Sequence, residues 1–164
     1  MAEYKTIAEA VRGFFKANDW KYAEEDGIFE SGTPLDAPIN SALIHIITDQ
    51  TALAILTALD YNVPEESTFT VLEFCNLANM LLPAGCFYLD RAEQMLVFRL
   101  TEFIAEEGPM PDEAEIEDQL LFCLQNLQQT AKVFGDLIDG TLSVEDAVET
   151  VLRFEFPDEP PVEE

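Results

Sequence analysis

Few residues in this sequence are of the types that do chemistry, and their spacing decides what they could do. His45 is the only histidine. It stands mid-strand among isoleucines, where an imidazole is expected to pack in a core or interface rather than act as a general base, and no Ser-His or Cys-His dyad follows from the spacing. Cys75, Cys86 and Cys123 are widely separated in apolar surroundings, so they read as small core residues in a reducing compartment. Three scattered cysteines and one histidine lack the paired spacing of a zinc site. The acids Asp112, Glu113, Glu115, Glu117 and Asp118 lie at a helix start, where carboxylates form a solvated face. A calcium loop of the EF-hand type is excluded as well. With Gly27 as its turn glycine, the first ligand would fall on Tyr22 and the bidentate acid on Thr33. The glycines are dispersed, and no Gly-rich phosphate cradle occurs. Arg99 stands out as a cation in the apolar run Met95 to Leu100, suited either to an ion pair within the chain or to a partner's carboxylate. The expectation is no catalytic residue, no cofactor site and no metal site.

Composition narrows the partners. The chain has 164 residues, 48% of them apolar and twelve of them phenylalanine, which is enough to bury a core despite the charge. Against 33 Asp and Glu stand 8 Lys and Arg, a net charge of −25, and the sequence pI is near 4.1. Such a field repels phosphate and anionic lipid, so nucleic acid and membrane are poor partners and a basic protein or peptide is a better one. The same acids also keep an apolar, associating protein soluble. No signal-like or membrane-spanning run is present, so the protein is expected to be cytoplasmic. Residues 1–156 are expected to form a single domain, and 157–164 an acidic, proline-bearing disordered tail.

The elements that position these residues follow from periodicity. Tyr4, Ile7, Ala8, Val11, Phe14 and Phe15 share a helical stripe, which predicts an amphipathic helix over 4–17 ended by Asn18-Asp19. Trp20, Tyr22, Ile28 and Phe29 predict an extended segment interrupted at Glu24 to Gly27, followed by a loop from Gly32 through Pro38. The runs 40–48 and 51–61 form a hairpin across Asp49-Gln50, and both are apolar on both faces, as in strands covered on both sides. The Thr70-x-x-Glu73 spacing predicts a capping box for a helix that Pro83 and Gly85 stop. A second hairpin spans Cys86 to Leu89 and Gln94 to Phe103. From Asp112, the stripe Ile116, Leu120, Leu124, Leu127, Ala131, Phe134 and Ile138 predicts a long helix ended by Asp139-Gly140. Ser143 and Asp146 then start a short helix. The expected fold is α+β: a twisted, mainly antiparallel sheet of about five strands flanked by helices, in the order α-βββ-α-ββ-α-α.

One stretch also resembles a known family. Asn79, Gly85, Phe87, Asp90, Phe98 and Arg99, in that succession, together with the long helix and the ending Gly140 to Ala147, resemble the YbjN family. These bacterial domains look like type III secretion chaperones of the Tir-chaperone (CesT) type. The resemblance runs from about Val63 to Ala147 and less distinctly over the start. It implies a twisted antiparallel sheet flanked by helices, no catalytic residues, and acidic, cytosolic, often dimeric proteins that hold an extended segment of another protein or regulate. Asn79 and Gly85 are expected to shape the exit from helix to hairpin, with the Asn79 amide bonded to local backbone.

These readings combine into a non-enzymatic protein-binding or regulatory domain that forms a homodimer. If helices cover one face of the sheet, the other is the partner-binding or dimer surface, with Leu43, His45, Ile47, Leu53, Ile55, Val97 and Arg99 as its candidate residues. The alternative is a small-molecule sensor or enzyme whose pocket lies between sheet and long helix, lined by phenylalanines.

Overall fold

The computed structural model describes residues 4–153. The expected tail 157–164 lies outside them. The chain opens with α1 (Ile7–Ala17), whose N-cap Thr6 accepts from the Glu9 N–H. Two strands follow, β1 (Ala23–Glu25) and β2 (Ile28–Pro34), turning at Asp26-Gly27, and then β3 (Ser41–Thr48) and β4 (Ala52–Leu59). A 3₁₀ turn, Glu65–Ser67, leads into α2 (Thr68–Leu81). The β5 (Cys86–Asp90) and β6 (Met95–Phe103) hairpin, α3 (Glu113–Asp139) and α4 (Val144–Leu152) complete the order. All neighbours in the six-stranded sheet, ordered β1-β2-β3-β4-β6-β5, pair antiparallel.

Two local expectations are corrected. The extended segment interrupted at Glu24 to Gly27 is two strands paired across Asp26-Gly27, so the first strand group holds four strands rather than three, and the stretch Gly32–Pro34 is not loop but the end of β2. Proline is tolerated there because β1 pairs only with Ile28, Phe29 and Glu30, leaving Pro34 on an open edge where its missing N–H breaks no ladder bond. The Thr70–Glu73 capping box does not form. The helix starts at Thr68 from N-cap Ser67 without a side-chain cap bond, so Thr70 already lies inside the first turn.

The other boundaries obey their caps. Asp112 and Glu115 form a reciprocal capping box at the start of α3, and Gly140 closes it at φ 74°, a left-handed turn glycine adopts cheaply. Ser143 accepts from the Asp146 N–H at the start of α4. In α3 the residues Ile116, Leu120, Leu127, Ala131 and Phe134 are buried with Cys123, Thr130 and Leu137, while Leu124 and Ile138 flank that stripe half-buried.

The helices lie on one side of the sheet. α3 packs on β4 and β6, α2 on β5, α1 against α3, and α4 against α2 and α3. Register shows which strand residues meet them. Ile44, Thr57, Phe98 and Phe87 form one row across four strands, and Phe29, Ile46 and Ile55 another. Both rows are buried, and all but Thr57 belong to the apolar core shared with the helices. Thr57 satisfies its hydroxyl by donating to the Phe98 carbonyl at 3.4 Å. Phe98 packs edge-on against Phe87 and Phe122, at 4.9 and 5.8 Å between centroids.

Candidate functional site

The opposite face of the same strands carries the rows that no helix covers. Register aligns Gly32, Leu43, Ala58, Val97 and Tyr88 in one row, and Glu30, His45, Leu56, Arg99 and Cys86 in the next. A third row holds Ile28, Ile47, Ala54 and Thr101. Much of this face is apolar yet accessible: Ile28 and Ile47 are 40% and 38% exposed, and Leu43, Leu56, Ala58, Tyr88 and Met95 are half-buried, whereas Ala54 and Val97 are buried between their neighbours. An antiparallel sheet that meets water on one face ordinarily alternates to polar residues there. Here the alternation fails on the uncovered side.

A hollow of about 270 Å³ is set into this face. Its apolar wall is Leu43, Leu56, Ala58, Tyr88, Met95 and Val97, and His45, Asp90 and Glu93 also line it. Burial pushes the Tyr88 phenol above its ordinary range and Asp90 adds to that, while Arg99 opposes it. The phenol therefore stays protonated and can donate at neutral pH. Arg99 is exposed and donates through Nε to the Thr101 hydroxyl at 3.0 Å. No carboxylate among the described residues pairs with it. His45 is exposed rather than packed in a core, with Nε2 at 3.5 Å from Glu30.

Of the seven residues expected on a partner surface, Leu43, His45, Ile47, Val97 and Arg99 lie on this uncovered face. Leu53 and Ile55 do not. Both are fully buried on the helix side. The β3–β4 hairpin closes with Thr48 opposite Leu53, so the four residues Asp49 to Ala52 lie between them. An even-numbered connection sets odd positions of one strand against even positions of the next, and the true neighbours of Leu43, His45 and Ile47 are Ala58, Leu56 and Ala54. That parity was the signal available for finding them. Asp49 fixes the turn, its Oδ1 accepting from the N–H groups of Thr51 and Ala52 at 2.7 and 2.9 Å.

The remaining chemistry-bearing residues serve structure. Burial pushes the Cys75 and Cys123 thiols up to about 12, which keeps them from acting as thiolates at neutral pH. Among the described residues no group of three or more His, Cys, Asp and Glu side chains is placed to hold a metal. The Asn79 amide clamps α2 to β5, donating to the Phe87 carbonyl at 2.9 Å and accepting its N–H at 2.7 Å. Gly85 follows at φ 72°, where a Cβ would stand 2.6 Å from the Phe98 ring. Between the sheet and α3, where a ligand pocket was the alternative expectation, Ile55, Phe98, Leu127 and Phe134 are fully buried parts of one core.

A family model described as "Putative bacterial sensory transduction regulator" matches residues 8–135. The chain belongs to the YbjN family. That description is of regulators and names no enzyme class. A search of curated proteins finds no match. No described helix is long and apolar enough to cross a membrane.

Proposed function

We propose that this YbjN-family chain is a cytoplasmic, non-enzymatic regulatory domain, a single folded unit over 1–156. In this reading it is a homodimer that holds a segment of another protein on the uncovered face of its sheet, in the manner of a secretion chaperone. The observation that carries the reading is that face: three register rows of mainly apolar side chains with no helix over them, around a hollow of about 270 Å³. Leu43, Leu56 and Met95 supply the apolar contact, and Asp90, Glu93 and Glu30 supply charge for a basic partner. Arg99 and the Tyr88 hydroxyl offer donors to its backbone or to an acid. A net charge of −25 favours lysine- and arginine-bearing segments and disfavours nucleic acid and anionic membrane.

The test uses extended peptides in which lysine alternates with leucine or phenylalanine, titrated against the full chain by fluorescence anisotropy. Saturable binding that weakens with salt and is lost in Leu43→Glu and Leu56→Glu, with unchanged circular dichroism, supports the reading. Equal binding by the wild type and both variants would sink it.

A further inference from the structure

We propose that the hollow on the uncovered sheet face is an anchor site for a single lysine side chain of the bound segment. This deepens the reading above and rests on it. Register explains why a hollow forms there. Leu43, Ala58, Val97 and Tyr88 stand side by side across β3, β4, β6 and β5. Ala58 contributes only a methyl group between larger neighbours, so the surface dips over it. Leu56 and Met95, two residues along their strands from Ala58 and Val97, share this face and raise the walls. The resulting space of about 270 Å³ is walled mainly by apolar groups. Its ionisable residues lie on opposite sides: His45 on β3, and Asp90 and Glu93 at the turn between β5 and β6.

An occupant of this space needs an unbranched apolar stem with a compact cation at one end, which is the shape of lysine. The cation end is already held in place. Asp90 fixes the turn through Oδ1, which accepts from the Ala92 and Glu93 N–H groups at 2.9 and 3.3 Å. The Asn62 amide donates to the Glu93 carbonyl at 2.8 Å and ties the turn to the chain that follows β4. These bonds leave Asp90 Oδ2, the Glu93 carboxylate and the Tyr88 hydroxyl without a partner among the described residues. Three acceptors on one side match the three N–H donors of an ammonium group. Burial keeps the Tyr88 phenol protonated, so its oxygen accepts without adding charge. An arginine fits less well. Its planar fork seeks both oxygens of one carboxylate, and one oxygen of Asp90 is committed to the turn. Arg91 and Arg99, the cations nearest in sequence, do not line the hollow, so no permanent cation within it neutralises the two acids. His45, on the far side, faces Glu30 at 3.5 Å.

Fluorescence anisotropy on the full chain tests this with extended peptides that alternate leucine with serine and differ only at one central residue. Central lysine is expected to bind about tenfold tighter than norleucine, which keeps the stem without the charge, or than acetyl-lysine. It is expected to bind about threefold tighter than arginine. Moving the lysine to the end of a norleucine peptide restores the net charge, so the pull of the chain's −25 is the same, yet affinity is expected to stay near the norleucine level. Ala58→Leu, which fills the hollow, is expected to abolish the preference for central lysine. Asp90→Asn, whose amide oxygen still accepts the turn N–H groups, and Glu93→Gln are each expected to reduce that preference about threefold or more. Norleucine affinity in the two acid variants should stay within about twofold of the wild type, with circular dichroism unchanged. Equal affinity for central lysine, terminal lysine and norleucine overturns the anchor while leaving the sheet face as a binding surface. A lysine preference that survives Ala58→Leu and both acid variants overturns it as well. Absence of binding by every peptide overturns the anchor together with the reading it rests on, so the two failures are distinguishable.

Discussion

The two faces of the sheet are built from the same strands and nearly the same residue types, yet they meet different surroundings. On one face Ile44, Ile46, Ile55, Phe87 and Phe98 are fully or almost fully buried beneath four helices. On the other Leu43, Ile47, Leu56 and Met95 stay half-buried or exposed, and ionisable groups, Glu30, His45, Asp90 and Arg99, stand among them. Hydrophobicity alone therefore does not say which side is core. What separates the faces is where the helical stripes find their match: α3 presents one continuous stripe and buries it once. The second apolar face is surplus to folding, and surplus apolar surface in a strongly acidic chain is where binding is to be sought.

The comparison breaks most readily at neighbouring positions in one strand. Ile55 and Leu56 are adjacent in β4 and point to opposite faces. Ile55→Ala, at a fully buried site, is expected to destabilise the fold by about 2–5 kcal/mol in a urea titration. Leu56→Ala is expected to change it by less than about 1.5 kcal/mol, since the half-buried side chain leaves no enclosed cavity. Equal losses would mean that the open face is as much core as the other. Next in size is Asn79→Ala, which leaves the Phe87 N–H and carbonyl without their side-chain partner and is expected to lower stability by about 1–3 kcal/mol. Asp112→Ala removes the capping box that starts α3, the helix that covers β4 and β6, and is expected to lower the urea midpoint by an amount equivalent to about 1 kcal/mol.

How much of this was legible depends on whether one periodic pattern had a single solution. The α3 stripe did, because alternation every three or four residues fits only one face of a helix, and the Asp112, Gly140 and Ser143 ends followed from local hydrogen-bond chemistry. Asn79 was legible for the same reason: an amide just before a helix exit has backbone groups within reach. Strand phase was not. With β4 apolar at every position from Ala52 to Leu59 except Thr57, period two gives no preferred face, so Leu53 and Ile55 were set beside Leu43 and His45 when pairing puts them on the helix side. The strand at Gly32–Pro34 was missed because glycine and proline signal a loop unless the strand is an edge, and edges are a property of the assembled sheet. The exposure of Phe69 and Met80 was not legible either, because α2 is apolar on its outer side as well as on the side that buries Val71, Phe74 and Ala78, and period alone does not separate the two.

The smallest expected effect lies at the margin of the covered face, where α1 meets β1. Arg12 donates to Glu24 through Nε at 2.8 Å and Nη2 at 2.7 Å, a two-point contact between helix and edge strand. The hydrogen bonds from Arg12 hold the Glu24 carboxyl below its ordinary value of 4.5. A carboxyl whose folded pKa is depressed binds fewer protons in the folded state than in the unfolded one, so its stabilising contribution is present above the unfolded value. It is lost as pH falls through the folded value, that is, below 4.5. Both side chains are substantially exposed, at 39% and 24%, so water and salt screen most of the gain. Arg12→Ala is expected to lower stability by no more than about 1 kcal/mol at neutral pH and low salt. The wild type and the variant should then converge in acid, where Glu24 is protonated in both. A difference that persisted unchanged into acid would show that Arg12 acts through the packing of its aliphatic stem on the edge of the covered face, and that this margin is held as the core is, by burial rather than by charge.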